Sequence, residues 1–383
     1  MHLSARLPAA EPNELALARA QLLAAGVPLV DLTDTNPTRH GLGDPGVAPI
    51  MAEAAARATG YDPDPRGRYD ARAALAERFG GDPDEYWLTA STSEAYGWLF
   101  DLLTDPGDAV AIMTPGYPLI EPLASLAGAQ VTGYRSFYLH PSGWELDQDS
   151  LRATLDDPRV RAVVAVNPNN PTGAYLDSAD AVAQACARRD LPLIADEVFW
   201  PYRLDADAQP ARLAGRDDVP TFALDGLSKL LCAPQLKLGW IRATGLGGTA
   251  TADRLDAIAD TYLSVGAPVA LALPGLLDLA DAAVERVRTR LLANLATLRA
   301  VFASGGYRVR TAQGGWMALL DVPPLIDDDT LALRLLRQAH LWVHPGWFYD
   351  LDGGTTLALS LLPEPDAFAV HCAQLRGGVD ALS

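Results

Sequence analysis

The chain is poor in cysteine. Its 383 residues include only three, Cys186, Cys232 and Cys372, and no Cys-x-x-Cys pair. That argues against a disulfide framework and a zinc site, and it fits a reducing compartment. No metal is expected. Positive charge is also scarce, with 30 Lys and Arg against 48 Asp and Glu and a formal charge of −18. Generic binding to nucleic acid or to anionic membranes needs a positive surface, so neither partner is expected. A small anion held by a local site stays open. No apolar run reaches the roughly 20 residues that cross a bilayer, and the N-terminal MHLSARLPAAEPNE lacks a hydrophobic h-region. Low-complexity tracts and solenoid repeats are missing too. What remains is the expectation of a soluble cytoplasmic protein, long enough for one large domain or for two sharing a core.

One stretch poses the first chemical question. LDGLSKLLCAPQLKLGW, Leu224 to Trp240, is mostly apolar yet holds Lys229 and Lys237. Either the lysines turn out to water or one is buried for a purpose.

The patterning predicts helices over Pro12–Ala25, Ala48–Thr59 and Asp70–Phe79. From EYWLT onward strands and helices alternate: STSEAYGWLFDLL, AVAIM, IEPLASLAG, AQVTGY, RAVVAV, DAVAQACARR, LPLIA, TFALDGL and LGWIRA. Alternation of this kind predicts an α/β fold, with a mostly parallel central sheet sandwiched by helices. A long helical span follows to about Ala303, with one break near Gly266–Pro268. The remainder reads as a smaller α+β domain with helices Thr330–Ala339 and Asp366–Gln374. The domain expectation is residues 1–44 as an N-terminal part of the small domain, 45–270 as the large domain and 271–383 as the small C-terminal domain.

In a parallel sheet, ligands sit beyond the carboxyl ends of the strands. The polar residues that stand out fall there. After EYWLT come Ser91, Thr92 and Ser93 at a helix start, where free N–H groups and hydroxyls suit a phosphate. Taken alone, this is an ordinary N-cap. After AVAIM comes TPGYP, whose Tyr117 offers a ring for stacking or merely packs on the sheet. After RAVVAV comes NPNNPTG, a rigid turn that presents Asn170. After LPLIA comes Asp196, a carboxylate that needs a partner if buried, such as an arginine or a cationic ring nitrogen. After TFALDGL come Ser228 and Lys229. Burial would lower the lysine pKa and make its amine a nucleophile able to form a Schiff base; the alternative is a lysine that snorkels out to water. Phosphate cradle, stacking ring, amide, carboxylate and amine on one sheet edge together describe a site for pyridoxal phosphate, the carboxylate keeping the pyridine nitrogen protonated.

NPNNPTG, ADEV, and SK followed by LKLGW occur in that order and spacing. With them the chain resembles the class I/II aminotransferases of the aspartate aminotransferase superfamily, the fold-type I pyridoxal-phosphate enzymes. The likeness runs over nearly the whole length. It implies a transferase that moves an amino group between an amino acid or amine and a keto acid. It implies that Lys229 carries the cofactor, Asp196 partners its pyridine nitrogen and Asn170 donates to its 3-oxygen. Tyr117 matches the stacking aromatic, and Thr92 and Ser93 fall where the family binds phosphate. Lys237 stands eight residues after Lys229, where an arginine usually meets the phosphate. Tyr61 in YDPDPRG matches a tyrosine that reaches the neighbouring subunit's phosphate, which implies a homodimer with shared active sites.

Departures from the resemblance matter as much. The tyrosine three residues after the aspartate is Phe199, so a hydrogen bond to the 3-oxygen is absent and a raised Schiff-base pKa is expected. A hydroxyl residue three before the lysine is Gly226. Most importantly, the arginine that grips the substrate carboxylate is Ala358 in TLALSLLPEP. Arg39 and Arg66 are alternative cations, or solvated loop arginines. Trp316, His344 and Trp347 are candidate pocket walls, or core and turn residues. The missing arginine gives weight to an alternative within the same fold: a decarboxylase, β-lyase or cyclase acting on an unusual amino acid. A non-catalytic cofactor-binding regulator would need a basic DNA-binding segment, which the charge disfavours. GLGGTA, Gly245 to Ala250, is a poor dinucleotide fingerprint and reads as a turn.

Overall fold

The computed structural model describes residues 4–7 and 11–382. After the helix Glu14–Ala24 comes a short strand, β1 (Val30–Asp31). Then follow β2 (Tyr86–Thr89), β3 (Ala109–Thr114), β4 (Gln130–Leu139), β5 (Gly143–Leu146), β6 (Val160–Val166), β7 (Leu193–Asp196), β8 (Thr221–Gly226) and β9 (Gly239–Thr244). These eight form one sheet in the order β2-β9-β8-β7-β6-β3-β4-β5. Pairing is parallel from β8 through β7, β6 and β3 to β4, and antiparallel only at β9 and β5. The expected mostly parallel α/β sheet is therefore present.

Its central strands are apolar on both faces because helices cover both. In β6, Val163 and Ala165 face one side with Val182 and Cys186 of the helix Ala179–Arg188. Ala162, Val164 and Val166 face the other, with Trp98 and Leu99 of the helix Thr92–Leu103. Each fully buried valine or leucine here contributes about 1.5–3 kcal/mol. Doubly covered strands lose the polar-apolar alternation of half-exposed ones, which is why RAVVAV reads as a continuous apolar run.

The second sheet is antiparallel and smaller. It consists of β10 (Arg308–Val309), β11 (Met317–Val322), then β13 (His344–Pro345) and β14 (Thr355–Ser360), with β12 (Leu341–Trp342) set apart to pair with β1. Its order is β10-β11-β14-β13. The helices Ala280–Val301, Asp328–Ala339 and Pro365–Leu382 pack around it. Leu15, Ala18 and Leu32 join the same core as Phe368 and Leu375, so the N-terminal segment packs on C-terminal elements.

The helical span differs from its sequence reading. It is three helices, Ala250–Tyr262, Ala267–Leu277 and Ala280–Val301, with a second break at Asp278–Leu279 and a bend of 73° there. No glycine or proline occupies that break, although Pro274 and Gly275 lie within one turn before it. The middle helix packs with Leu75 and Trp240 against the large sheet, while Val287 and Leu291 of the third enter the small-sheet core. The bend is imposed by two separate cores, a cause invisible to local pattern. Among the described residues no single helix is long and apolar enough to cross a membrane.

Candidate active site

Five of the parallel-running strands end on one edge, and their following loops enclose a cavity of about 260 Å³. Ser91, Thr92, Ser93, Tyr117, Asn170, Asp196, Phe199, Ser228, Lys229 and Lys237 all line it. The tertiary fold thus brings together ten residues spread over nearly 150 positions of sequence.

The helix after β2 starts with a variant of the capping box, in which the acid reaches the residue before the N-cap. Ser91 Oγ accepts from Glu94 N at 3.2 Å, and Glu94 Oε2 accepts from Ala90 N at 2.6 Å. The first N–H groups of a helix have no intrahelical partner, so those of Thr92 and Ser93, at the cavity wall, are free to meet an anion. An N-cap and free N–H groups coexist in one turn.

β7 ends in two acids with opposite fates. Glu197 is 1% exposed and satisfied by Arg212 Nε and Leu213 N, both at 2.8 Å. Asp196 is 6% exposed and has no protein cation in an ion pair among the described residues. Its oxygens accept from Tyr96 Oη at 3.0 Å and Val198 N at 3.2 Å. Burial pushes the Asp196 carboxyl up to about 6, against those two bonds and the charge of Lys229. A buried carboxylate so placed is poised for a cation supplied by a ligand.

Lys229 follows β8 on a single helical turn, Leu227–Leu230. Its carbonyl accepts from Tyr202 Oη at 2.6 Å, which pins the backbone. Its Nζ lies 4.9 Å from the ring centre of Trp316 and 5.4 Å from that of Phe199. It forms no hydrogen bond or ion pair among the described residues. Burial lowers its pKa, opposed by Asp196. An amine walled by aromatics, with its pKa lowered, has the chemistry of a nucleophile.

Glycines bring β8 and β9 close at this edge. Gly226 and Gly239 are cross-strand partners, and a Cβ on Gly226 would lie 2.9 Å from the Gly239 Cα. No serine fits at 226, so the absent hydroxyl is a steric consequence of this approach. Lys237, just before β9, holds a left-handed backbone at φ 51°. A non-glycine residue in that region costs about 1–3 kcal/mol and needs its surroundings to enforce it. Here the turn aims the lysine into the cavity. No ion pair or hydrogen bond engages its amine among the described residues.

Other expected residues separate from this group. Tyr61 is 82% exposed and lines a different cleft with Asp62, Arg68 and Ser264. Arg66 is locked to Asp256 by Nε and Nη2, both at 2.7 Å, and does not line the cavity. Arg39 is solvated beside Asp34 at 3.4 Å. Trp347 is largely exposed and uses its backbone N on Asp328. Ala358 is buried in β14 beside Met317, Leu319 and Tyr349. Its cross-strand neighbour is His344, whose Nδ1 lies 3.0 Å from Tyr349 Oη. Residues the sequence reading missed include Tyr96, Thr35 and Met317 on the cavity wall. Tyr96 was findable in principle, because it lies one turn after Thr92 and Ser93 on the same helix face.

A second acid behaves like Asp196 without facing the site. Asp225 is 7% exposed, and its Oδ1 accepts from Gly226 N at 2.7 Å. Burial pushes it up to about 7. A carboxyl raised in the folded state favours folding below its unfolded pKa, and that contribution is lost as pH rises through about 7. Asp225→Asn is therefore expected to leave stability near pH 4 unchanged. At pH 8 it should stabilise by on the order of 1–4 kcal/mol, read as a melting difference between the two pH values.

Known proteins share this architecture. A sequence model of the family described as aminotransferase class I and II matches residues 43–357. An aspartate/prephenate aminotransferase of Thermus thermophilus is 27% identical over 94% of this chain and 95% of its own length. A probable N-succinyldiaminopimelate aminotransferase of Mycobacterium tuberculosis is 32% identical over 76% of each chain. In fold, a crystal structure of an aminotransferase from Escherichia coli superposes with a TM-score of 0.87, covering 99% of this chain and 98% of that one at 21% identity. The family match spans both the large sheet and most of the small one, and it contains the cavity-lining residues from Ser91 to Lys237. The chain belongs to the class I and II aminotransferase family.

Proposed function

We propose that Lys229, Asp196 and Asn170 carry the amino-group transfer of this enzyme. Enzymes of the family use pyridoxal phosphate and move amino groups between amino acids and keto acids. The observation that carries the residue assignment is Asp196, a buried carboxylate in one cavity with the Lys229 amine, neither of them in an ion pair among the described residues. Lys229 would hold the cofactor through Nζ, Asp196 would meet its ring nitrogen and Asn170 its ring oxygen. Ser91, Thr92, Ser93, Ser228 and Lys237 would hold the phosphate, with Tyr117 and Phe199 as walls. Bound there, pyridoxal phosphate supplies an electron sink for charge developing at the substrate α-carbon. The chain's part is proton transfer and positioning. Lys229 Nζ takes the α-proton and returns it, a role its lowered pKa suits. Trp316 and Phe199 wall one side of that amine.

The chain contains only two lysines. Reductive trapping with pyridoxal phosphate and borohydride, followed by peptide mapping, therefore has a two-way answer. Label on Lys229 supports the assignment; label on Lys237, or none, overturns it. Mixing the loaded enzyme with amino acids tests the reaction. Accumulation of the pyridoxamine form supports transfer, whereas product without it favours a decarboxylase, β-lyase or cyclase. Phe199→Tyr should restore a hydroxyl beside Lys229. The midpoint of the cofactor's visible absorbance titration should then fall, by about one pH unit for one hydrogen bond. A midpoint that stays or rises would count against the placement of Phe199.

The reading extends to assembly. A homodimer in which Tyr61 of the partner subunit reaches the phosphate is supported by the exposure of Tyr61, with Tyr69 and Tyr262 also exposed. Light scattering tests the dimer, and weaker cofactor retention by Tyr61→Phe tests the shared site. In a division at residues 1–44, 45–270 and 271–383, the joint core of Leu15, Leu32 and Phe368 supports grouping the first segment with the third, whereas packing of the helix Ala267–Leu277 with Trp240 favours a boundary after Leu277. Cytoplasmic placement is supported by the unpaired cysteines Cys186, Cys232 and Cys372.

A further inference from the structure

A second cleft opens beside the cofactor cavity, and Thr35, Lys229 and Pro234 line both. It therefore continues from the reactive amine outward. Its other walls are Arg19, Asp31, Asp34, Trp342 and His344. Across the two spaces the lining cationic side chains are Lys229, Lys237 and Arg19. Both lysines are committed to the cofactor under the reading above. Burial pushes His344 down to about 4, so it is neutral at physiological pH. Met317 of the small sheet lines the cofactor cavity and is uncharged, and it packs with Tyr349 and Ala358 behind it.

Arg19 is an unusual surface-helix arginine. Leu15, Ala18, Arg19 and Leu22 fall at i, i+3, i+4 and i+7, so it lies on the stripe that faces inward. Its guanidinium carbon stacks 4.5 Å from the ring centre of Trp342. Its Nη2 makes one long contact, 3.4 Å to Asp31 Oδ2. Asp31 spends its other oxygen on Thr33, accepting from N at 2.8 Å and Oγ1 at 2.7 Å. Nε of Arg19 is buried without a partner, and Nη1 makes no hydrogen bond among the described residues. If the pair only tied the helix to β1, a single long contact between partly exposed groups would contribute little. Stacked and under-bonded, the guanidinium is instead preorganised for a carboxylate, which it can take in two parallel hydrogen bonds.

We infer that Arg19 binds the carboxylate of the amino-acid substrate and of its keto-acid counterpart, making it the specificity residue for acids at this site. The inference rests on the aminotransferase reading for what the substrate is, but it can fail separately. A carboxylate desolvated beside Lys229 needs a cationic partner, and Arg19 is the lining group left to supply it. The aliphatic or aromatic part of the substrate then lies toward Met317.

The test uses non-reacting ligands on the cofactor-loaded enzyme, so it does not depend on turnover. Calorimetric titration compares 3-phenylpropanoate with the uncharged 3-phenylpropanamide. The wild-type protein should bind the acid roughly 10- to 100-fold tighter, the worth of a charge-assisted pair. Arg19→Gln should erase that preference, and Arg19→Lys should keep part of it. Asp31→Asn removes a competing acceptor and should tighten acid binding several-fold. Equal binding of acid and amide by the wild type, or a preference that survives Arg19→Gln, overturns the inference. Should Arg19→Gln fail to fold, unchanged acid affinity in Asp31→Asn does the same. The transfer reading is judged apart, by whether amino acids convert the cofactor to its pyridoxamine form. An acid preference without that conversion would leave Arg19 standing and the transfer reading refuted.

Discussion

Lys229→Ala should reduce transamination by at least roughly 10⁴-fold, the upper range for a lost proton-transfer group and here compounded by loss of the covalent anchor. The loss should reside in chemistry, because the surroundings of the lysine do not depend on its side chain. Its carbonyl is held by Tyr202, and Tyr202, Phe199 and Trp316 pack on one another at 5.2 and 5.4 Å without it. The variant should therefore fold and still take up pyridoxal phosphate through Lys237 and the helix start after Ser91, with the absorbance of the unlinked aldehyde. Stopped-flow absorbance with an amino-acid donor provides the measurement. Turnover within tenfold of the wild type would remove Lys229 from the centre of the site.

Asp196→Asn is expected to separate activity from stability. The change keeps the shape and removes the negative charge, so Tyr96 can still approach while a cationic ring nitrogen loses its partner. Removal of one group of this kind typically costs roughly 10²–10³ in rate. Stability should move the other way in protein stripped of cofactor. The folded-state pKa of about 6 lies above the ordinary aspartate value of 3.8. The ionised carboxylate thus opposes folding as pH rises through about 6, by roughly 3 kcal/mol at pH 8. Asn should raise the melting temperature of the stripped protein at pH 8 and leave it unchanged near pH 4. In the loaded protein that advantage should shrink or reverse, because the wild-type charge is then paired. Melting curves with and without cofactor at both pH values decide this. An Asp196→Asn protein less stable than wild type when stripped at pH 8 would show that the buried charge is already neutralised by the protein itself.

The two acids after β7 explain why part of the site was readable in advance. DEV follows an apolar strand, so burial of both carboxylates was predictable. Which of them would find an arginine was not. Arg212 lies 15 residues from Glu197 along the chain and reaches it across a loop. Similar limits apply to the arginines. Arg39 and Arg66 sit in loops that border the site by resemblance, yet Arg66 is spent on Asp256, 190 residues away. Arg19 carries no motif. Its position is set by the packing of the N-terminal helix on the C-terminal core and by the pairing of β1 with β12. Gly226 looked like a lost contact in sequence and proved to be a spacing requirement between two strands.

Local order along the chain was sufficient for the strand-helix alternation and for the loops that line the cavity. Each loop directly follows an apolar strand, and a parallel sheet places all such ends on one edge whatever the rest of the molecule does. Folding in three dimensions decided the partners of each charge, the second bend in the helical span and the cation left beside Lys229. Those depend on which distant segments meet, and burial gives an unpaired charge its energy only where they do.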